Sequence, residues 1–167
     1  MDEEPRSVYF TDANSSPELF KAIGHFIFQF SQLEFVIRHA LASALGLKSN
    51  KDIDTVTSPY DFRVLCDVTS GYLRSLFVSD REFQEQVKKL FDRCKSLNDD
   101  RVRVAHGTWM VDGGTRHVSR GSLTSASYFM TPGELEGKTQ EAFELMRRVI
   151  ELSLGRVMEV SQLPNSE

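Results

Sequence analysis

Cysteine is scarce in this 167-residue chain. Only Cys66 and Cys94 occur, too few and too far apart for a zinc site or a disulfide framework. That points to a reduced, cytoplasmic setting. Long apolar runs are missing as well, and no stretch approaches the ~20 residues a membrane-spanning helix needs, so no membrane partner is expected. The opening MDEEPRSV is acidic and has no apolar centre, which does not fit a secretory signal. Histidine occurs four times without an HxxxH or HExxH pattern, and His25 and His39 lie too far apart to share a metal. Glycine spacing offers no phosphate loop. Neither a metal nor a cofactor is expected. A surplus of positive charge is also absent: 20 basic against 24 acidic residues leave −4. That argues against a protein that coats nucleic acid, though it allows a small local basic site.

What is present describes one ordinary globular domain. Apolar residues make up 40% and charged residues 26%, and twelve phenylalanines suggest a core of plain aromatic rings. The domain is read as residues 16–162, with flexible tails at 1–15 and 163–167.

Four helices are predicted. SPEL (16–19), SPYD (58–61) and TPGE (131–134) each place a hydroxyl before a proline, a pattern that caps a helix and fills its first position. TPGE and SDRE (79–82) also read as capping boxes. The first helix is expected over about 17–45, with Phe20, Ile23, Ile27, Phe30, Ile37 and Leu41 inward, and Gly46 as its stop. Phe26, Leu33 and Phe35 widen that stripe. The second is expected over about 59–77, with Phe62, Leu65, Cys66, Leu73 and Leu76 inward. The third covers about 80–105, with Phe83, Val87, Leu90, Phe91, Cys94, Leu97 and Val104 on one face. The fourth covers about 132–161 through Leu135, Phe143, Met146, Ile150, Leu154 and Val157. Between the last two, TWMV-DGG-TRHVSR (108–120) reads as a β-hairpin, and SASYFM (125–130) as a further extended piece. The expected fold is all-α: an antiparallel four-helix bundle with a β-hairpin inserted between helices 3 and 4. Helices about 40 Å long, at about 1.5 Å per residue, exceed what one small bundle needs and suggest a homodimer.

The stretch LNDDRVRVAHGTW (97–109) is the candidate site. Arg101 falls on the apolar stripe of the third helix, four residues after Leu97 and three before Val104. A guanidinium there needs a partner or an outlet to water. His106 falls where Gly107 ends the helix. A fixed cation beside a proton-transferring imidazole is what metal-free RNA backbone cleavage requires. The plainer reading is a basic helix C-terminus satisfying its own dipole and free carbonyls.

Arg101 and His106, followed by Gly107 and Trp109 at the end of a long penultimate helix, resemble the Rx4–6H signature of HEPN domains. The order of a long first helix with SQLE, the AHGTW junction, a hairpin and a capped last helix is similar too, across most of residues 17–160. The resemblance implies a dimeric, metal-independent endoribonuclease, a toxin or phage-defence effector with RNA as substrate and an antitoxin protein as partner. It implies Arg101 and His106 as catalytic residues, and products ending in a 2′,3′-cyclic phosphate. Val102 stands where the family often has a polar residue. The alternative is a non-catalytic dimeric helical module that binds a partner or a nucleotide.

Three residues are read as supporting. Glu34 sits on the first helix's apolar stripe, where either Arg101 or Arg38, four residues on, can be its partner. Asp99 and its neighbour Asp100 are placed to hold Arg103 or His106, or to face water. Arg103 is either a second phosphate contact or the surface partner of Asp99. Arg116, His117 and Arg120 make the hairpin basic. Trp109 and Tyr128 can stack bases or cover the helix end.

Overall fold

The computed structural model describes residues 17–110, 114–118 and 124–161, with the side chains of 154 and 156–161 left aside. The expected tails, the Ser16 cap, the hairpin turn residues 111–113 and Arg120 lie outside the described residues. Five helices and a small antiparallel sheet follow in chain order: α1 (Pro17–Ala44), α2 (Asn50–Thr57), α3 (Phe62–Leu76), α4 (Arg81–His106), β1 (Thr108–Trp109), β2 (Thr115–Val118), β3 (Ser125–Tyr128) and α5 (Pro132–Ser161). Helix α1 packs on α5, α3 and α4, and α4 packs on α3, α5 and β2.

Helix α1 ends as Gly46 demands. Gly46 has a φ of 71°, its N–H bonds the Ser43 carbonyl at 3.0 Å, and Leu47 N–H reaches back to the Ala42 carbonyl at 2.9 Å. That paired return is the left-handed C-terminal motif that glycine adopts without steric cost. The chain then enters α2, a helix the sequence reading overlooked. Ser49 starts it, accepting a hydrogen bond from Asp52 N–H at 3.1 Å and donating one to Asp52 Oδ2 at 2.7 Å. The Ser58–Pro59 pair does not begin a helix as expected; Ser58 ends α2 instead. Asp61 is the cap of α3, accepting from Val64 N–H at 2.9 Å. Likewise Asp80, not Ser79, caps α4 through Phe83 N–H at 2.9 Å. In both places a carboxylate one to three residues further along outcompetes the serine. The last helix starts at Pro132, as read, with Thr131 Oγ1 donating to Glu134 Oε1 at 3.3 Å.

All seven residues predicted for the inner face of α4 are buried. On α1 the inner face is turned slightly: Leu19, Ala22, Phe26, Phe30, Leu33, Ile37, Ala40 and Leu41 are buried. Phe20, Ile27 and Phe35, expected inward, are exposed. A similar one-step turn affects α5, where Ala142, Leu145 and Val149 are buried while Phe143 and Ile150 face outward. Leu76 of α3 is exposed as well.

The hairpin is part of a three-stranded sheet in the order β1-β2-β3. Thr108 pairs with Arg116 and Trp109 with Thr115; Thr115 to Val118 pair with Tyr128 to Ser125. The expected extended piece is thus β3, laid against β2. Phe129 then turns the chain toward α5 with a φ of 55° and a buried ring. Left-handed backbone at a phenylalanine costs energy, here offset by burying its ring in the core.

Candidate functional site

The end of α4 is held by the sheet. The helix's own cap bond and two side chains of the sheet meet its last carbonyls. Gly107 N–H and Thr115 Oγ1 donate to the Arg103 carbonyl at 2.9 and 3.3 Å, and Trp109 Nε1 donates to the Val104 carbonyl at 3.0 Å. Trp109 therefore covers the helix end. Gly107 is needed for space, since its φ is −76°. A Cβ on it would stand 2.0 Å from Thr115 Oγ1 and 2.5 Å from the Arg103 carbonyl. His106, the last residue of the helix, is exposed.

Arg101 is half-buried, with its guanidinium carbon 5.8 Å from the centre of the Phe30 ring. It lines a cleft of about 440 Å³ between α1, α3 and α4. Glu34, Asp61, Phe62, Arg63, Asn98 and Val102 complete the lining. His106 is not among them. On a helix of 3.6 residues per turn, five positions place the two side chains about 140° apart around the axis.

Of the supporting residues, Glu34 takes the nearer of its two expected partners, and Asp99 and Arg103 do not pair with each other. Glu34 bonds Arg38 at 2.6 Å, and no carboxylate among the described residues lies within ion-pair distance of Arg101. Arg38 also donates to the Thr57 and Tyr60 carbonyls, so this pair ties α1 to the end of α2. Asp99 pairs with Arg63 of α3, not with Arg103 or His106. Arg103 pairs instead with Asp100 at 2.7 Å, and its guanidinium lies 4.4 Å from the centre of the Tyr128 ring. Tyr128 thus packs on a cation, a contact worth about 0.5–2 kcal/mol depending on exposure.

Asp100 is the residue the sequence reading undervalued. It is buried, and Lys138 of α5 reaches its second oxygen at 2.8 Å. Lys138 also meets Glu141 at 3.2 Å. Burial disfavours the Lys138 ammonium, but the bonds to Asp100 and Glu141 outweigh it and raise its pKa above the ordinary value. One carboxylate therefore fastens the last turns of α4 to α5 and, through Arg103, to β3. Its pairing with Arg103 was one of the expected alternatives; its burial and its tie to Lys138 were not.

Of the hairpin residues, Arg116 is exposed and donates to Ser125 Oγ at 3.3 Å, while His117 is half-buried. Both cysteines are buried and free. Burial pushes the Cys66 thiol well above its usual range and the Cys94 thiol up to about 12. Neither can act as a nucleophile at neutral pH. Among the described residues no cluster of three or more His, Cys, Asp or Glu could hold a metal, and no helix is long and apolar enough to cross a membrane. No family model, curated protein or solved structure matches the chain.

Proposed function

We propose that the protein is a HEPN-type, metal-independent endoribonuclease, with its four long helices arranged as an antiparallel bundle and its site completed by a second copy. The observation that carries this is Arg101: a half-buried guanidinium, on an open cleft, without a carboxylate to neutralise it among the described residues. Such a group is suited to phosphate oxygens. His106, exposed at the helix end, is the acid–base group that takes the 2′-hydroxyl proton or returns one to the leaving 5′-oxygen. The attacking 2′-oxygen bonds to phosphorus as the bond to the 5′-oxygen breaks, leaving a 2′,3′-cyclic phosphate.

His106 does not line the cleft that Arg101 lines, and in this reading Arg101 of one copy serves with His106 of the other. The outer face of α1 supports a homodimer. Phe20 and Ile27, and likewise Phe28 and Phe35, are exposed pairs seven residues apart, the spacing that a partner helix covers. Phe28 is 64% and Phe35 55% exposed, and Phe143 and Ile150 on α5 repeat the spacing. Toxin or defence activity, with an antitoxin as partner, belongs to the same reading. Arg103, locked on Asp100 and Tyr128, is a fixed element of the frame, and Glu34 lines the cleft with its charge met by Arg38.

The test is RNA cleavage by purified protein in excess EDTA, comparing wild type with His106→Ala and Arg101→Ala. Loss of cleavage in both folded variants is expected; unchanged cleavage by His106→Ala rejects the assignment. A second reading, a non-catalytic helical interaction module, draws on the same exposed α1 face and on the absence of His106 from the Arg101 cleft. It predicts a dimer or partner complex that both substitutions leave intact, with no cleavage by wild type.

A further inference from the structure

The cleft beside Arg101 contains a second group without a partner. Asn98 is 92% buried, being 8% exposed, and its side chain makes no hydrogen bond among the described residues. Yet none of its polar atoms is sealed from solvent, because the only fully buried unpaired side-chain atom among the described residues is Arg74 Nε. The amide therefore opens into the cleft it lines, one helical turn before Arg101. An amide held in the protein yet open to water, with no protein partner among the described residues, is free to exchange that water for a ligand's donor and acceptor.

The other polar residues lining the cleft are already engaged. Glu34 is paired with Arg38, Asp61 caps α3, and Arg63 is paired with Asp99. What remains is one cation, one donor–acceptor amide and an aromatic wall at Phe62. The space of about 440 Å³ is in the range of small-molecule sites and far exceeds what a lone anion fills. A singly charged phosphodiester joined to a planar base matches that set: one negative charge for one guanidinium, and a hydrogen-bonding edge for the amide.

We propose that this cleft is a nucleotide subsite, in which Arg101 holds a phosphodiester and the Asn98 amide reads the edge of the adjoining base, with a preference for adenine. Adenine presents its N6 donor beside the N7 acceptor, the edge an asparagine amide pairs with in two bonds; the N4 donor beside N3 of an unpaired cytosine is the competing edge that the test below separates from it. Asn98 thus determines base specificity for the proposed ribonuclease. The inference rests on the reading of Arg101 as a phosphate contact, but its test needs no cleavage.

The probes are the 2′-deoxy dinucleotides of adenine, cytosine, guanine and thymine, which lack the attacking hydroxyl, together with inorganic phosphate and acetate. Binding is followed by the ¹⁵N side-chain resonance of Asn98 and by affinity. The adenine dinucleotide is expected to shift that resonance and to bind best. Asn98→Leu is expected to weaken adenine binding roughly fivefold or more, and to leave phosphate binding unchanged. Because the amide has no partner to lose, the same substitution is expected to hold or raise the melting temperature. Arg101→Gln is expected to lose every dinucleotide. Equal binding of all four bases, or phosphate and acetate binding as tightly as dinucleotides, would overturn the proposal. So would an Asn98→Leu protein that is destabilised but keeps its preference, which makes Asn98 a packing residue. A silent Asn98 resonance in wild type decides the matter even where a variant does not fold. Adenine selectivity in a protein that leaves RNA intact rejects the nuclease reading alone; cleavage without base selectivity rejects the subsite alone.

Discussion

Replacing Gly107 by alanine tests how the helix end at His106 is built. The new Cβ would lie 2.0 Å from Thr115 Oγ1 and 2.5 Å from the backbone carbonyl of Arg103. The threonine can rotate away; the carbonyl belongs to the helix and cannot. Overpacking of this kind costs about 1–3 kcal/mol. Against it stands the stiffening of the unfolded chain, which favours alanine over glycine by roughly 0.4–1 kcal/mol because the φ of −76° suits either residue. With both terms near the middle of their ranges, the balance is about 1.3 kcal/mol of destabilisation. At about 2–4 °C per kcal/mol for a chain of this size, the melting temperature should fall by roughly 3–5 °C. Gly71, inside α3 with nothing within 4 Å of its would-be Cβ, supplies the control. Gly71→Ala should stabilise by roughly 0.5–1 kcal/mol, the helix-interior preference alone. Thermal unfolding by circular dichroism reads both. A Gly107→Ala protein that melts at or above wild type, or two variants that shift in the same direction, refutes the packing of β2 against the helix end.

Other consequences can be measured separately. Asp100→Ala strands Lys138 and Arg103, each about a third exposed, so a loss of roughly 1–3 kcal/mol in urea denaturation is expected, less than for a fully buried pair; no loss would show that the three charges are solvated singly. Cys66 and Cys94 should not react with a thiol reagent at pH 8 in the native protein and should both react after unfolding. The Asp92 carboxyl is held below its ordinary 3.8 by Lys88 and Lys95, so what it contributes is present above that pH and lost as pH falls through its lowered value. Lys95, raised above 10.5 by Asp67 and Asp92, contributes below that pH and loses its share as pH climbs through the raised value. Stability from this network should therefore stay level between those limits, and a slope near neutrality that Asp92→Asn abolishes would contradict it.

The third long helix of the sequence reading was legible because its apolar residues allow one phase only. Phe83, Val87, Leu90, Phe91, Cys94 and Leu97 form a single narrow stripe amid charges. On α1 two stripes compete. Phe20, Ile23, Ile27 and Phe30 satisfy helical spacing as well as Leu19, Ala22, Phe26 and Phe30 do, and the two share Phe30, Ile37 and Leu41. Large residues drew the reading outward, whereas the buried side includes Ala22 and Ala40, which permit close helix approach. The same bias misplaced Phe143 and Ile150 on α5, where Ala142 is the buried residue. Helix α2 went unseen because eight residues give too short a period to register. At the site, the helix end, its glycine and the covering tryptophan could be read from AHGTW. The local pairs Glu34–Arg38 and Asp100–Arg103 could be read from their spacing, but Arg63 beside Asp99, Tyr128 beside Arg103 and Lys138 beside Asp100 could not, since they come from separate elements that only the tertiary fold brings to α4. Asn98 was invisible for a related reason: an amide becomes conspicuous only once burial without a partner is known.

The most direct measurement of the proposed two-copy site is RNA cleavage, in excess EDTA, by a mixture of Arg101→Ala and His106→Ala proteins. Each alone should fall by roughly a hundredfold or more, the usual loss for an acid–base or charge-stabilising group. The mixture should recover to about a quarter of wild type, because random exchange makes half the dimers mixed and each mixed dimer keeps one whole site of two. A mixture no better than its components, or single variants as active as wild type, contradicts the account.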